Sequence, residues 1–532
     1  MAITENRKYS KAFVFNLLEG IKGKTLGEID KSNQFARAAT NKKITGIAGD
    51  VIEQSVFGYA RDSNQECDIE IDGIQTELKT TGLTIPLAKR KNLKDKSKEE
   101  YNLHLQAKEP MSITGVTFEP AVQTDFETSH FWEKSERLLI IFYEYLENSA
   151  VSASEYSKFP IVDYCYNTFS ESEKATLQSD WEKVRDFLLN IYSKYPDKED
   201  RNLNLIGFTS VIKPSLMYID LAPSFKKRAS GSYQKPRYRL KRTFLNHIVK
   251  GHFDKSRHHQ EISLKESFTS FEQLDAKCHE LTLKFGGKTL AQLKELLQID
   301  TEIGTKDFTS KCILKMFDAD CGRLNQISDF TKAGIIAKTI TITPSGNRTE
   351  DMKLDHIDFD EWADRNIDFE DSEIYNFFSE HSFLCPIFCE RGDTKKRVVP
   401  EDMQHTEDKR IIEETGKTTF EGFKRFAFDE DFIMSQARKT WSDSRNLIHQ
   451  NKLEWEYVVD QNGNRLQNKS GSFRGAPNFP KSRDYDVFFR GGANTSRDSD
   501  KTESVNGIQM LPQFYWLKGS FIADKLKSLP YL

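Results

Sequence analysis

The chain has 532 residues and a formal net charge of −4 at pH 7, with 30% charged and 37% hydrophobic residues. This length exceeds one ordinary hydrophobic core, so we expect two or more domains. No apolar run is long enough to span a membrane, which argues against a membrane protein. The seven cysteines are an odd number spread along the chain, which indicates reduced thiols rather than a disulfide framework.

The N-terminal segment mixes basic residues with Phe13, Val14, Phe15, Leu17 and Leu18. This mixture is typical of an amphipathic helix and not of a signal peptide with a continuous apolar centre. We therefore expect a cytoplasmic protein.

The first half of the chain alternates between helix and strand signals. The predicted helices are Tyr9–Leu18, Asp50–Phe57, Thr176–Tyr192 and Thr243–Lys250, and the predicted strands are Leu138–Tyr145 and Leu216–Leu221. This order predicts an α/β fold, a small mixed sheet flanked by helices.

A β-hairpin is predicted at Cys67–Thr76, because Asp72-Gly73 stands between alternating isoleucines. A type I′ turn needs positive φ at both central residues, which Asp-Gly supplies. With these two residues as the loop, Asp68 lies opposite Glu77, at the Cβ separation of about 5 Å that is usual for such pairs. The two-residue period then places Asp68, Glu77 and Lys79 on one face, together with Glu70.

Two carboxylates held this close repel each other unless a cation lies between them. Mg²⁺ suits such a site, since it binds one or two carboxylates and keeps several waters. Lys79 could then orient or deprotonate an attacking water and neutralise a phosphoryl group. The pattern therefore predicts a metal-dependent phosphodiesterase; a solvated hairpin face with ordinary salt bridges is the alternative.

A basic run follows between Ser224 and Thr243, with eight positive charges in twenty residues and no acid. Such a run can make several phosphate contacts with steep salt dependence, although a solvated loop is the simpler interpretation. The candidate DNA-binding residues in it are Lys226, Lys227, Arg228, Arg237, Arg239, Lys241 and Arg242.

Four stretches, in order over about 200 residues, resemble the MutH-type nucleases and the Sau-three-A family of GATC-cutting type II restriction endonucleases. The stretches are Gly46–Gly58, Gly73–Thr80, Phe126–Tyr143, and Ser179–Glu182 with Tyr238–Phe244. The resemblance implies a restriction-endonuclease-like fold of the PD-(D/E)xK superfamily, with Mg²⁺ as cofactor. It also implies that Glu53 supports the metal site and that Lys134 is a second active-site lysine.

One departure from the family concerns the first metal ligand. The usual spacing to the glutamate is seven residues, which Glu70 satisfies, whereas Asp68 lies nine residues before Glu77. The hairpin pairing favours Asp68, and Glu70 remains a competitor.

The chain also repeats itself weakly. Gly23-Lys24-Thr25-Leu26 recurs as Gly287-Lys288-Thr289-Leu290, and Tyr238–Phe244 recurs as Tyr515–Phe521. Between these, Asp329–Thr339 corresponds to the hairpin and the Glu-x-Lys segment, with Ile336 at the glutamate position. No acid stands at the Glu53 equivalent either, so we expect a second nuclease fold that has lost its chemistry.

These observations predict three segments: a catalytic domain over 1–260, a linker over 261–284, and an inactive DNA-binding domain over 285–532. Glycine-rich stretches at Ser470–Pro477 and Arg483–Asn494 are candidate DNA loops, or surface loops without function. The relatives pair an active copy with an inactive copy that binds a second DNA site and activates the first.

The expected function is a type II restriction endonuclease that cleaves duplex DNA at GATC with Mg²⁺, as a monomer or a DNA-induced dimer with no membrane partner. The DNA sequence comes from the resemblance alone. One alternative is a mismatch-repair nicking enzyme, and the other is a non-cleaving DNA-binding regulator.

Overall fold

The fold is taken from a computed structural model. It describes residues 7–39, 46–59, 66–85, 90, 93, 95–118, 125–147, 151–254, 264, 267–348, 350–468, 471, 473–493, 495 and 497–532. The chain divides into two units, the first comprising 1–274 with 331–334 and the second comprising 275–330 with 335–532. No helix among the described residues is long and apolar enough to cross a membrane.

The first unit contains two sheets that matter for the site. Its strands are β1 (Lys8–Tyr9), β2 (Ile69–Ile71), β3 (Ile74–Thr84), β4 (Gln106–Ala107), β5 (Met111–Gly115), β6 (Arg137–Glu144), β7 (Ile161–Thr168), β8 (Ile219–Ala222), β9 (Lys226–Lys227), β10 (Tyr233–Gln234) and β11 (Arg237–Leu240). The central sheet has the order β1-β2-β3-β6-β7, with β4 paired to β3. A second sheet has the order β5-β11-β8.

Helices pack around these sheets. They are Lys11–Glu19, Leu26–Ile29, Ile47–Val51, Lys98–Asn102, His130–Glu133, Glu171–Lys194, Lys198–Leu205, Phe208–Ile212 and Arg242–Phe253, and a π-helical turn follows at Ile52–Val56. The long helix begins at a capping box, in which Ser170 and Glu173 satisfy each other's backbone N–H groups. The predicted helices and strands of this half are confirmed, and their ends differ by a few residues.

The second unit repeats this plan. Its strands are β12 (Ile335–Ala337), β13 (Ile340–Ile342), β14 (Met352–His356), β15 (Ser382–Cys389), β16 (Thr419–Ala427), β17 (Trp455–Tyr457), β18 (Gly475–Pro477), β19 (Val487–Gly491), β20 (Glu503–Val505), β21 (Ile508–Met510) and β22 (Gln513–Leu517). The helices from the unit boundary onward are Phe271–Phe285, Leu290–Leu296, Phe308–Met316, Ser328–Ala333, Phe359–Ala363, Glu373–Glu380, Gln404–Gly416, Glu430–Phe432, Arg438–His449 and Gly519–Lys527, and a π-helical turn lies at Ile433–Ala437.

The connectivity of the two units matches in the central strands of the main sheet and in the small sheet. In the first unit, β3 runs parallel to β6, which is antiparallel to β7. In the second, β12 and β13 run parallel to β15, which is antiparallel to β16. The small sheet β5-β11-β8 has its counterpart in β14-β22-β19, and each central strand leads into a helix. Both units therefore have the same mixed α/β architecture, as predicted.

The Gly-Lys-Thr-Leu repeat has the same structural role in both units. The N–H of Gly23 donates to the Ile161 carbonyl at 2.8 Å, and the N–H of Gly287 donates to the Phe420 carbonyl at 2.7 Å. Both glycines have positive φ, of 78° and 76°, which favours glycine at this turn. The threonine that follows each one caps the next helix in a capping box.

Strand register extends the match to single residues. β6 and β7 share an irregularity between Phe142 and Tyr143, and β15 and β16 share one between Ile387 and Phe388. Aligning these irregularities places Leu138 on Phe383. Since Glu77 pairs with Leu138 and Ile336 pairs with Phe383, Ile336 occupies the Glu77 position, as predicted from the sequence.

Two predicted features of the second half differ from the structure. Asp329 lies on the helix Ser328–Ala333, so the segment before β12 forms no hairpin. Most of the predicted linker 261–284 overlaps the helix Phe271–Phe285. This helix packs into the fold, since its Leu274, Cys278 and Leu281 are buried. Predicted linker residues 261–263, 265 and 266 lie outside the described residues, as do Ser470, Ser472 and Asn494 of the candidate loops.

Candidate active site

The hairpin that carries the site forms as its turn chemistry predicts. Asp72 and Gly73 have φ of 50° and 83°, the two positive values that a type I′ turn needs. Ile71 pairs with Ile74, and Ile69 pairs with Thr76. Asp68 precedes this ladder directly, and its Oδ2 accepts a 2.9 Å hydrogen bond from the Leu78 N–H. The turn therefore fixes Asp68 beside the segment that contains Glu77.

Glu77 is the most enclosed acid of the cluster, with only 2% of its surface exposed. Its Oε1 accepts from Lys79 Nζ at 2.6 Å, and its Oε2 accepts from Lys134 Nζ at 2.9 Å. Lys134 also donates to the Glu66 carbonyl at 3.0 Å, so it connects the residue before the hairpin to the carboxylate. A buried charge needs such partners, and two ammonium groups provide them here.

Lys134 stays charged in this environment. Burial alone would lower its pKa, but the Glu77 carboxylate outweighs burial, and the net pKa is raised. Lys134 therefore acts as a fixed positive charge that orients Glu77, and it is poorly suited to accept a proton.

Asp68 and Glu53 have perturbed protonation. Burial, followed by repulsion from Glu77, raises the pKa of Asp68 to about 6. Burial, followed by repulsion from Asp68 and then Asp50, raises the pKa of Glu53 to about 7. The carboxylates thus repel one another, and both shifts show negative charge that the two lysines do not fully neutralise.

Glu53 reaches the cluster from the π-helical turn that continues the helix Ile47–Val51. Such turns are frequent at functional sites, because they re-aim side chains within a helix. Gly49 lies against this region: a Cβ there would be 3.8 Å from both Glu53 Oε1 and Thr80 Oγ1. These are ordinary van der Waals distances, so the helix packs against Thr80 of β3 at this point.

A cavity of about 390 Å³ opens onto these groups. Asp68, Lys79 and Glu53 line it, and Met111 and Ser112 of β5 line it as well. Several other residues that line the cavity were not predicted from the sequence, among them Arg7, Tyr59, Lys108 and Tyr143. These come from separate segments with no shared spacing, so no sequence pattern connects them before the chain folds.

Glu70 lies outside this group. Its Oε2 is 2.9 Å from Lys8 Nζ and accepts from Gln75 Nε2 at 3.1 Å. The structure thus brings together Asp68, Glu77, Lys79, Glu53 and Lys134, and it places Glu70 in a separate ion pair toward the turn.

The donor set suits a hard divalent cation, since carboxylate oxygens are the ligands that Mg²⁺ prefers. Among the described residues, however, no group of three or more His, Cys, Asp and Glu side chains is arranged to hold a metal. Both Glu77 oxygens are instead held by ammonium groups. A bound divalent ion would relieve the repulsion that raises the pKa of Asp68 and Glu53, and it would replace Lys79 at Glu77.

The predicted DNA-binding residues fall into two groups. Lys226, Lys227 and Arg228 are exposed on or next to the β9–β10 hairpin, and Arg237 is exposed on β11. β11 lies beside β5, whose residues line the cavity. These cations are therefore free to meet a phosphate backbone that enters the cleft.

The second group makes contacts within the fold. Arg239 binds the buried carboxylate of Asp220, which also pairs with Lys213 at 3.0 Å. Lys241 donates to the Leu216 carbonyl, and Arg242 begins the following helix. For Arg239 and Lys241 the fold supplies a structural role that the basic run in the sequence does not reveal.

Asp180 of the predicted Ser179–Glu182 stretch also has a structural role. It is fully buried and accepts hydrogen bonds from the N–H groups of Met217, Tyr218 and Ile219, at 2.7 to 2.9 Å. It fixes the entry to β8 and lies away from the cavity-lining residues.

Comparison with known proteins agrees with this geometry. Residues 57–180 match the family model described as DNA mismatch repair enzyme MutH. The chain is also 24% identical, over 554 aligned positions, to the type II restriction enzyme Sau3AI of Staphylococcus aureus. That alignment covers 98% of this chain and 99% of the relative. The fold and the acidic cluster define a MutH-like, restriction-endonuclease-like α/β protein. These matches support assignment of the chain to a MutH and Sau3AI-like family.

Proposed function

We propose that the chain is a type II restriction endonuclease that hydrolyses both strands of duplex DNA with Mg²⁺, at the sequence GATC. The observation that carries the proposal is the placement of Asp68 beside Glu77, shown by its hydrogen bond from the Leu78 N–H and its repulsion by Glu77. Lys79 Nζ lies 2.6 Å from Glu77, and Asp68 and Lys79 line an open cavity. The near full-length similarity to a type II restriction enzyme supports double-strand cleavage. GATC rests on the family resemblance.

Asp68 and Glu77 would hold the metal ion, and Glu53 would support it from the helix. When bound, the ion supplies a water of lowered pKa and neutralises charge on the phosphate. Lys79, released from Glu77, orients the attacking water or stabilises the phosphoryl oxygens. The water oxygen forms a bond to phosphorus and releases a proton to solvent, the bond to the leaving oxygen breaks, and the leaving oxygen takes up a proton from solvent.

Lys134 acts differently in this scheme. Its ammonium keeps its bond to Glu77 Oε2 and to the Glu66 carbonyl, so it holds the carboxylate in place while Lys79 moves. We therefore assign Lys79 to the reaction and Lys134 to positioning.

The second unit is proposed to be an inactive copy that binds a second DNA site and activates the first unit. Its support is the shared connectivity together with the loss of the carboxylate at Ile336. A domain that keeps the surface of a nuclease without the metal ligand is suited to binding without cleavage. Such binding can change activity only through different affinities for the resting and active states.

The direct test is digestion of methylated and unmethylated plasmid by the purified protein with Mg²⁺, followed by sequencing of the ends. We expect linear products with ends at GATC. The match to a mismatch repair enzyme makes nicking the second candidate, and nicked circles without linear product would favour it. Binding without any cleavage would favour a DNA-binding regulator.

A further inference from the structure

The second unit keeps the lysine of the Glu77–Lys79 pair but not the carboxylate. By the register given above, Ile336 takes the Glu77 position, and the residue two further on, Lys338, takes the Lys79 position. The Lys338 N–H donates to the Leu384 carbonyl at 3.0 Å, which continues the β12–β15 pairing. The lysine has thus kept its place on the strand after the loss of its carboxylate partner.

A second lysine stands at the corresponding edge of this site. Met111 pairs with Leu240 and Ser112 with Arg239 in the first unit. Met352 pairs with Leu517 and Lys353 with Trp516 in the second. Because Leu240 and Leu517 hold matching places before the final helix, Lys353 occupies the position of Ser112, which lines the catalytic cavity. The second unit has therefore gained a cation where the first has a hydroxyl.

Neither lysine is neutralised. Among the residues that the structure describes, Lys338 and Lys353 make no ion pair. Lys338 experiences attraction from Asp355 and repulsion from Lys353, and burial lowers its pKa. Burial, followed by repulsion from Lys306, also lowers the pKa of Lys353. In the first unit, by contrast, Lys79 is only 2.6 Å from Glu77.

The fold holds Lys353 in place by apolar and backbone contacts. Its Nζ lies 3.3 Å from the centroid of the Phe514 ring, a cation–π contact. A Cβ at Gly492 would lie 2.9 Å from that Nζ and 2.8 Å from the ring. Glycine at 492 therefore allows the backbone to pass directly over the lysine, and Gly492 belongs to the candidate DNA loop that begins at Arg483.

The nearby acids are Asp351, which is already paired, and exposed Asp355, which attracts Lys338 without forming an ion pair with it. Asp351 binds Arg490 at 2.6 Å and accepts the Gly519 N–H at 2.9 Å. Arg348 donates to the Glu350 carbonyl, and burial lowers its pKa as well. The site thus collects cations that are partly desolvated and lack anionic partners, an arrangement that costs free energy unless an anion binds.

We propose that Lys338 and Lys353 form a metal-independent binding site for a phosphodiester of duplex DNA, in the position where the first unit would hold its metal. This inference rests on the proposed DNA binding by the second unit and adds the place of that binding. Ile336 leaves no carboxylate to attract a cation or to repel a phosphate. The bound strand cannot be hydrolysed there, since the Glu77 and Glu53 positions hold no acid.

The test uses the full chain with Glu77→Ala, so that no DNA is cut, and a short duplex that carries GATC. Binding stoichiometry is measured by calorimetry. The acylation rate of each lysine is measured by peptide mass spectrometry with and without the duplex. We expect two duplexes per chain and slower labelling of Lys338 and Lys353, while exposed Lys315 of the same unit keeps its rate. Inorganic phosphate alone serves as a second probe.

Two duplexes per chain with unchanged labelling of Lys338 and Lys353 would overturn this inference and leave the proposed function intact. One duplex per chain with unchanged labelling would overturn both. Protection by inorganic phosphate but not by the duplex would show an anion site that DNA does not use, and would also overturn the inference.

A charge restoration at the same position gives an independent measurement. Ile336→Glu should pair with Lys338 as Glu77 pairs with Lys79, and should weaken binding of the second duplex by about tenfold or more, the factor for one charged hydrogen bond. Ile336→Gln has nearly the same shape without the charge and should weaken it much less. Equal effects of the two substitutions would contradict the proposed phosphodiester-binding site.

Discussion

In the first unit, β3 carries Glu77 and Lys79, and an ammonium group holds each Glu77 oxygen. In the second unit, the matching positions carry Ile336 and Lys338, and the lysine has no ion-pair partner among the described residues. The backbone pairing is the same, but an apolar side chain replaces the carboxylate. One fold thus holds a carboxylate cluster, the proposed metal site, in one copy and a lysine pair, the proposed anion site, in the other.

The largest expected effect comes from removing the carboxylates that distinguish the first unit. Glu77→Ala or Asp68→Asn should reduce cleavage by about 10³-fold or more, because the metal loses a ligand. DNA binding should be unchanged or tighter, since a carboxylate near a phosphate repels it. Single-turnover cleavage and metal-free binding measurements check both statements.

Glu70→Gln is the matched control for that experiment. Its carboxylate pairs with Lys8 and Gln75 outside the cluster, so cleavage should change little. A larger loss for Glu70→Gln than for Asp68→Asn would show that Glu70 is the first ligand, as the family spacing allows.

The next effect concerns the lysine that positions Glu77. Lys134→Met should lower the cleavage rate by about 10²-fold, the cost of a misplaced catalytic group. It should also increase the Mg²⁺ concentration needed for half-maximal rate, because Glu77 loses the partner that orients it. Lys158→Met removes an exposed lysine that pairs with Glu155 and should leave both quantities unchanged. A rate loss without any change in Mg²⁺ dependence would contradict the positioning role.

A smaller effect is expected from the exposed cations on and beside the β9–β10 hairpin. Changing Lys226, Lys227 and Arg228 to Gln should weaken binding to all duplexes alike, by about tenfold, and reduce the salt slope by about 3. Affinities measured over a range of salt concentrations for specific and unrelated duplexes test this. Lost discrimination at constant salt slope would show base contacts instead.

Arg239 provides a contrast within the same basic run. Lys213 and Arg239 lower the pKa of Asp220 to about 2. Because Arg239 neutralises this carboxylate inside the fold, Arg239→Gln should reduce thermal stability. The hairpin substitutions should leave the melting temperature unchanged.

The smallest effect is on the stability of the metal-free protein. The pKa values of Glu53 and Asp68 are raised on folding from 4.5 and 3.8 to about 7 and about 6. Acids with raised pKa bind protons more tightly in the folded state, so their stabilisation is present below about pH 4 and is lost as the pH rises toward about 7.

In EDTA, Glu53→Gln with Asp68→Asn should therefore flatten the decline of melting temperature between pH 5 and pH 8, by a few degrees. Glu155→Gln is the exposed control and should leave the slope unchanged. A steeper decline of the melting temperature in the double variant would mean that folding lowers the pKa values of Glu53 and Asp68 instead of raising them.

Much of this arrangement could be predicted from local chemistry. The Asp72-Gly73 turn alone fixed the register that separates Asp68 from Glu70, and the Gly-Lys-Thr-Leu repeat marked the duplication. The sequence did not reveal that Arg239 and Lys241 are engaged inside the fold, because Asp220 and the Leu216 carbonyl meet them only through strand pairing. The predicted correspondence of Asp329 with the hairpin was wrong, because Asp329 lies on the helix Ser328–Ala333.

We propose that the active first unit and the inactive second unit act together on DNA. This proposal is tested by comparing the cleavage rates of plasmids that carry one and two recognition sites, with and without a short site-bearing duplex added in trans. The account predicts faster cleavage of the two-site plasmid and acceleration of the one-site plasmid by the added duplex. Equal rates on both plasmids, with no response to the duplex, would contradict it.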